Sequence, residues 1–145
     1  PNPKEKRMKI VPYISFEGRA EDAIDFYRAA LGAEVLMLMR MKDAPERPPE
    51  GQMPPGTEDK VMHAHLRIGE SEFMCSDGYC SGKASFGSGS SLHIELDGDA
   101  RAQQVFDALA EGGRVRMPME KTFFASRFGM VDDRFGLPWI VSTAA

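Results

Sequence analysis

Three histidines are the residues of this 145-residue chain whose type and spacing best suit chemistry. His63 and His65 lie two positions apart in an alternating stretch, so a strand would present both imidazoles on one face. His93 and Glu95 have the same spacing in a second alternating stretch. Imidazole binds Zn, Ni, Fe or Cu, so these four side chains form a candidate metal site if the fold joins them. The alternative is that the histidines face solvent or hydrogen-bond within a sheet.

Tyr13 and Glu95 add a hydroxyl and a carboxylate that suit ligand binding or proton transfer. A glutamate buried against apolar side chains has a raised pKa and acts as a general acid or base. An exposed glutamate paired with a cation such as Arg67 is the alternative. Cys75 and Cys80 form no secreted-scaffold pattern, so we expect reduced thiols. The sequence identifies no catalytic residue.

The elements that must position these residues occur twice in the chain. Residues 11–35 and residues 91–115 each follow the pattern strand, helix, strand. At a fixed offset of 80 positions, apolar and glycine residues coincide, as in two copies of one supersecondary unit. The coinciding pairs include Ile14 and Ile94, Gly18 and Gly98, Phe26 and Phe106, and Gly32 and Gly112.

Hydrophobic periodicity predicts the remaining elements of each copy. The first copy has strands at 8–16, 34–41, 61–68 and 72–76 with a helix at 19–31, and the second has strands at 91–97, 114–119, 123–131 and 138–143 with a helix at 100–111. We therefore predict an α+β fold of two βαβββ modules, each sheet a curved half-barrel with its helix outside. One domain spans residues 1–145, with module 1 at about 8–77, a connector at about 78–90 and module 2 at about 91–145.

Strand faces follow from the two-residue period, because the helices cover one face of each sheet. The opposite faces are predicted to form a solvent-reachable cleft that binds a ligand through Tyr13, His93, Glu95 and either His63 or His65. Met37, Met39 and Met41 would form its apolar wall, and the proline-rich loop 42–60 would be its movable cover. A plain core strand and a merely mobile loop are the alternatives.

Composition excludes several classes of protein. A net charge of −4 argues against a general nucleic-acid binder, which would normally show a basic face. No apolar run approaches the roughly 20 residues that a membrane helix needs. The start of the chain has no apolar stretch like that of a signal peptide, so we expect a cytoplasmic protein with neither nucleic acid nor membrane as partner.

Five segments of the chain resemble the PhnB-like branch of the vicinal oxygen chelate superfamily, which includes glyoxalase I, extradiol dioxygenases and bleomycin-resistance proteins. They are PYISF at 12–16, HAHLRIG at 63–69, MCSDG at 74–78, SGKAS at 81–85 and FGMVDDRFGLPW at 128–139. The resemblance implies paired βαβββ modules and a homodimer in which the cup is completed between chains. This branch is often labelled a demethylubiquinone methyltransferase, but the sequence shows no glycine-rich nucleotide-binding turn between a parallel strand and a helix.

Metal-dependent members of that superfamily take one histidine and one glutamate or similar ligand from each module. The corresponding positions here are Pro12 or Tyr13, Met74 or Cys75, His93, and Ile140. One ligand of the four remains, so we expect a protein that binds a small apolar or amphipathic molecule without that metal set. The alternative is a divalent-metal-dependent lyase, isomerase or dioxygenase that uses His63, His65, His93 and Glu95.

Overall fold

Two four-stranded sheets, each with one helix, form the architecture in the computed structural model, which describes residues 7–46 and 53–144. Module 1 comprises β1 (Tyr13–Ser15), α1 (Ala20–Leu31), β2 (Glu34–Arg40), a short 3-10 helix (Met41–Asp43), β3 (Val61–Ile68) and β4 (Ser71–Ser76). Module 2 comprises β5 (Leu92–Leu96), α2 (Asp99–Ala110), β6 (Arg114–Glu120), β7 (Ala125–Asp132) and β8 (Pro138–Ala144).

The two sheets have the same topology. The strand order is β1-β4-β3-β2 in the first sheet and β5-β8-β7-β6 in the second. In each sheet the first strand pairs in parallel with the last, and the other pairs are antiparallel. The predicted α+β fold of two βαβββ units is therefore confirmed.

The offset of 80 positions holds for the first half of each module. Strands β2 and β6 begin and end 80 positions apart, and the two helices agree with that offset to within one residue. Beyond β2 and β6 the offset shrinks, because only 64 positions separate Val61 from Ala125. The difference lies in the β2–β3 connection of module 1, which is far longer than the β6–β7 connection at 121–124.

The first strand is shorter than the alternating pattern predicts, with β1 at Tyr13–Ser15 instead of 8–16. Pro12 has no N–H to donate to a sheet ladder, although its carbonyl oxygen accepts a 2.9 Å hydrogen bond from the amide of Met74.

The prediction for Met41 is also wrong in part. It begins the 3-10 helix instead of ending β2, so only Met37 and Met39 share a strand.

Helix α1 takes its N-terminal cap from a residue distant in sequence. Arg19 precedes the helix and contributes no capping side chain. Instead, Oδ1 of Asp77 accepts a 2.7 Å hydrogen bond from the amide of Ala20, and its Oδ2 accepts one of the same length from Val61. The buried Asp77 carboxylate thus joins α1 to the start of β3. At the other end, Gly32 closes the helix in the left-handed conformation.

Aromatic rings and one buried carboxylate connect module 2 to α1 of module 1. Phe135, in the β7–β8 turn, packs within 5.7–6.2 Å of the rings of Phe16, Phe26 and Tyr27. Asp133 accepts hydrogen bonds from the Tyr27 hydroxyl at 2.5 Å and from the Trp139 indole at 2.8 Å, both on Oδ2. Burial, with the Asp133 carboxylate beside it, raises the pKa of Tyr27 far above its usual range. The Tyr27 hydroxyl therefore stays protonated and keeps its proton to donate to Asp133.

The core lies where the sheets meet their helices. The buried residues include Phe16, Ile24, Tyr27, Phe106 and Leu109. This agrees with the prediction that the helices cover one face of each sheet. Ile14, Leu92, Ile94 and Leu96 are partly buried against the same core, whereas Tyr13, His93 and Glu95 point to the other side and are exposed. In the described ranges, no helix has the length and apolar character needed to cross a membrane.

Candidate functional site

Strand register places the predicted site residues on the sheet faces that the helices leave open. In module 1, Tyr13 lies beside Met74, Met74 beside His65, and His65 beside Met37. In module 2, the matching row is His93, Ile140, Met130 and Met117. The two rows therefore have the same positions in their sheets but different side chains. Module 1 presents a tyrosine and a histidine with two methionines, and module 2 presents a histidine and an isoleucine with two methionines.

Tyr13 and His63 form a pair on the module 1 face. Their rings stack with centroids 5.6 Å apart and planes at 27°. The Tyr13 hydroxyl lies 3.1 Å from Nδ1 of His63, which is hydrogen-bonding distance. Tyr13 is 51% exposed, so solvent and small molecules reach this pair.

His65 lies on the same face but has a different partner. Its Nε2 atom is buried and lies 3.0 Å from Oε1 of Glu72, although the two atoms are not aligned as a hydrogen bond. Glu72 also contacts the ammonium group of Lys9, and that contact lowers the pKa of the Glu72 carboxyl, with a smaller contribution from His65. The carboxylate therefore stays ionised beside the imidazole.

The module 2 face has a histidine–serine pair. Nε2 of His93 lies 2.6 Å from the hydroxyl of Ser142, and that serine is almost wholly buried on β8. Glu95 lies directly opposite Ser142 in the sheet and is exposed. Sequence reasoning missed Ser142, because only the parallel register of β5 and β8 brings it beside His93.

A cleft of about 910 Å³ opens between the modules along β5. Every residue of β5 lines it, together with the end of α1, the β3–β4 hairpin, one side of α2 and Trp139. Its polar and charged lining residues are Lys9, Glu70, Ser71, Glu72, His93, Glu95, Arg101 and Gln104. Leu31, Ile68, Phe73, Leu92, Ile94, Leu96, Val105 and Trp139 are among its apolar lining residues.

The structure separates the five predicted ligand-binding residues into two places. His93 and Glu95 line the cleft, whereas Tyr13, His63 and His65 lie on the open face of the first sheet and are not among the lining residues. Met37 and Met39 lie on that first face too, so they do not form the wall of the cleft. The described ends of loop 42–60 do not line the cleft either, and residues 47–52 of the loop lie outside the described residues.

The four-residue metal set considered from the sequence is not assembled within the chain. Among residues 7–46 and 53–144, no group of three or more His, Cys, Asp or Glu side chains is placed to hold a metal ion. The register also shows which of the residues compared in the sequence analysis lie on the open faces. Met74 and Ile140 share the faces of Tyr13 and His93, whereas Cys75 points into the core.

The fold and cleft define a class of protein with two βαβββ modules and an open cavity between them. The chain belongs to the family described as 3-demethylubiquinone-9 3-methyltransferase, whose profile matches residues 8–142. It is 39% identical over 142 residues to Protein YjdN of Escherichia coli strain K12, covering 93% of this chain and 95% of that protein.

Two solved structures extend the comparison. Protein PA1353 from Pseudomonas aeruginosa matches with a TM-score of 0.81 and 37% identity, covering 95% of this chain and 98% of that one. A PhnB protein from Bacillus cereus, described as a putative 3-demethylubiquinone-9 3-methyltransferase, matches with a TM-score of 0.77 and 30% identity over 94% and 100% of the two chains. The PhnB-like relationship inferred from the sequence is therefore confirmed.

Proposed function

We propose that this protein binds a small apolar or amphipathic molecule in the cleft along β5, as a PhnB-like member of the vicinal oxygen chelate superfamily. The observation that carries the proposal is the cleft itself, whose lining combines apolar side chains with polar and charged groups at fixed places. Ligand pockets typically have 300–1,000 Å³ and this kind of lining. The ligand positions of the superfamily, here Tyr13, Met74, His93 and Ile140, retain one histidine, which favours binding without that metal set.

The charged groups of the cleft favour an amphipathic ligand. Arg101 is a cation that suits a carboxylate or similar acidic head group, whereas the ammonium group of Lys9 already contacts Glu72. Glu95 and His93 lie on β5 beside it. Leu92, with the other apolar side chains of the wall, suits a hydrocarbon or aromatic body. We do not propose methyl transfer, because the turn between β1 and α1 carries only Gly18 and is not a glycine-rich nucleotide turn.

Fluorescence of the single tryptophan tests this proposal, because Trp139 lines the cleft. The amphipathic dye 1-anilinonaphthalene-8-sulfonate is titrated, and energy transfer from Trp139 reports binding. Ala108→Phe adds a ring to the cleft wall, and Ala100→Phe adds the same ring to an exposed position of α2 outside the cleft. We expect at least tenfold weaker binding for Ala108→Phe and wild-type binding for Ala100→Phe. Equal affinities for the two variants would refute a ligand site in this cleft.

We further propose that the protein is a cytoplasmic homodimer. The two cysteines, Cys75 and Cys80, form no disulfide framework of the kind found in secreted domains, which supports the location. Two adjacent phenylalanines support the assembly: Phe123 is 98% exposed, and its ring lies 5.0 Å from that of the exposed Phe124. A second copy of the chain that covers these rings would remove them from water.

A further inference from the structure

Two methionines of β2 face two histidines of β3 on the open side of the first sheet. Met37 is directly opposite His65, and Met39 is directly opposite His63. The intervening Leu38 and Ala64 point to the other side, into the core. Side chains directly opposite each other in a sheet have Cβ atoms about 4.5–5.5 Å apart, so two thioethers and two imidazoles share one small patch. We call these four residues the Met–His array.

A third thioether borders the array on its other side. Met74 of β4 lies directly opposite His65, so this imidazole stands between two methionines in a row across three strands. Met39, His63, His65 and Met74 are partly buried, and Met37 is 41% exposed. The array is therefore shielded enough to hold its side chains in place and open enough for a small ion to reach them.

Each histidine of the array has one ring nitrogen close to a polar neighbour. Nδ1 of His63 meets the Tyr13 hydroxyl at 3.1 Å, and Nε2 of His65 lies 3.0 Å from the Glu72 carboxylate. Among residues 7–46 and 53–144, no side chain hydrogen-bonds to Nε2 of His63 or to Nδ1 of His65. Histidines that bind metal ions commonly carry a hydroxyl or carboxylate partner on the other ring nitrogen. The Tyr13 hydroxyl is such a hydrogen-bonded partner for His63, whereas the Glu72 carboxylate lies beside His65 without an aligned hydrogen bond.

The donor atoms determine which metal suits the array. Thioether sulfur is a soft ligand that selects Cu(I), and imidazole also binds copper, whereas Mg, Ca and Mn prefer carboxylate and carbonyl oxygens. We propose that Met37, Met39, His63 and His65, bordered by Met74, form a binding site for Cu(I). None of these five residues lines the proposed ligand cleft, although Glu72, beside His65, does. The site does not depend on a ligand in that cleft.

The second module supplies a control. Met117 corresponds to Met37 and is equally exposed, at 41%. It lies opposite Met130, where module 1 has His65, and Phe128 is the next residue of β7 on that face. The second face therefore has methionines without histidines at the positions equivalent to His63 and His65. Its own histidine, His93, is separated from Met130 by Ile140, so methionine and histidine are not neighbours there.

Competition with bicinchoninate for Cu(I) under anaerobic, ascorbate-reduced conditions tests the proposal in a Cys80→Ser background. That substitution removes the accessible thiol, and Cys75 is fully buried. We expect one equivalent of Cu(I) to bind, at least tenfold weaker binding in Met37→Leu/Met39→Leu, and no change in Met117→Leu. Leucine keeps the volume and apolar character of methionine, so the variants should fold.

Methionine-methyl NMR of the same samples locates the ion. The methyl signals of Met37 and Met39 should shift on addition of one equivalent, while that of Met117 stays in place. The proposal is overturned if Cys80→Ser takes up no Cu(I), or if Met37→Leu/Met39→Leu binds as tightly as Met117→Leu. Tight Zn(II) binding that survives Met37→Leu/Met39→Leu, without Cu(I) binding, would also overturn it, since it would indicate a site made of imidazoles alone.

Discussion

Glu17 holds the end of β1 to the loop that follows β4. Its carboxylate accepts hydrogen bonds from the hydroxyls of Ser15 and Ser81 and from the amides of Tyr79 and Ser81. These bonds lower the pKa of Glu17, with the bond from Ser15 contributing most. The residue also has a positive φ of 49°, which is uncommon outside glycine. Four donors therefore favour the ionised carboxylate in the folded protein.

Glu17 should make the stability of the protein depend on pH in the acid range. Because its pKa is lower in the folded state, its contribution is present above the unfolded-state value of about 4.3 and is lost as pH falls through the folded-state pKa. We expect Glu17→Gln to be less stable at pH 7 and to lose less stability between pH 5 and pH 2.5. Urea unfolding at several pH values measures this, with the exposed turn residue Glu70→Gln as control. Parallel pH profiles for wild type and Glu17→Gln would contradict the expectation.

For individual site residues, the sequence predicted only the sheet face on which each side chain lies, because the two-residue period of a strand determines that face. The period correctly placed Tyr13, His93 and Glu95 on the open faces. It did not reveal that Tyr13 contacts His63 while His93 contacts Ser142, because those pairs depend on register between strands far apart in sequence. The cleft residue Arg101 was missed for a different reason. A charged residue on an amphipathic helix ordinarily faces solvent, so its sequence position gave no sign that it lines a cleft.

Gly129 lets helix α2 approach β7 closely. A Cβ atom at this position would lie 2.7 Å from Sδ of Met119, 2.9 Å from a ring carbon of Phe106 and 3.1 Å from the carbonyl oxygen of Met117. Glycine inside a strand often marks such an approach. Here its absent side chain makes room for the Phe106 ring of α2 and for the neighbouring strand β6.

Gly129→Ala should destabilise the protein by about 1–3 kcal/mol, the usual cost of overpacking a well-packed core. The added methyl group would force α2 or β6 away from β7. Chemical denaturation measures the change in the free energy of unfolding. Gly89→Ala is the matched control, because no atom lies within 4 Å of its added Cβ atom. A loss for Gly129→Ala no larger than that for Gly89→Ala would show that the core tolerates the methyl group.

Element positions were largely predictable, because both modules combine a strong helical period with alternating strands. Strand β3 has the predicted bounds of 61–68, and helix α1 differs by one residue. The errors occur where pairing, and not the local pattern, ends an element. The alternation before β1 continues back to Met8, but sheet pairing begins only at Tyr13. The capping of α1 by Asp77 was likewise hidden, because the capping residue follows the helix by more than 40 positions.

The whole molecule is predicted to assemble in pairs through the exposed phenylalanines at 123 and 124. Light scattering at micromolar concentration should give twice the chain mass of 16.1 kDa, about 32 kDa. Phe123→Ser/Phe124→Ser should shift this species toward the monomer, because it removes apolar area that only a partner would cover. Tyr79→Ser, which removes another exposed ring, should remain dimeric. A single 16 kDa species for the unsubstituted protein would end this prediction.

The hydrogen bond between Tyr27 and Asp133 spans 106 positions of the chain. It makes the β7–β8 turn and helix α1 neighbours in one buried network, although they belong to different modules. A local opening that releases this turn would leave the Tyr27 hydroxyl unpartnered in the core, at a cost of about 1–3 kcal/mol. Amide protons of α1 and of the turn should therefore exchange with solvent as one cooperative unit. Local opening should then involve both modules at once and not either module alone.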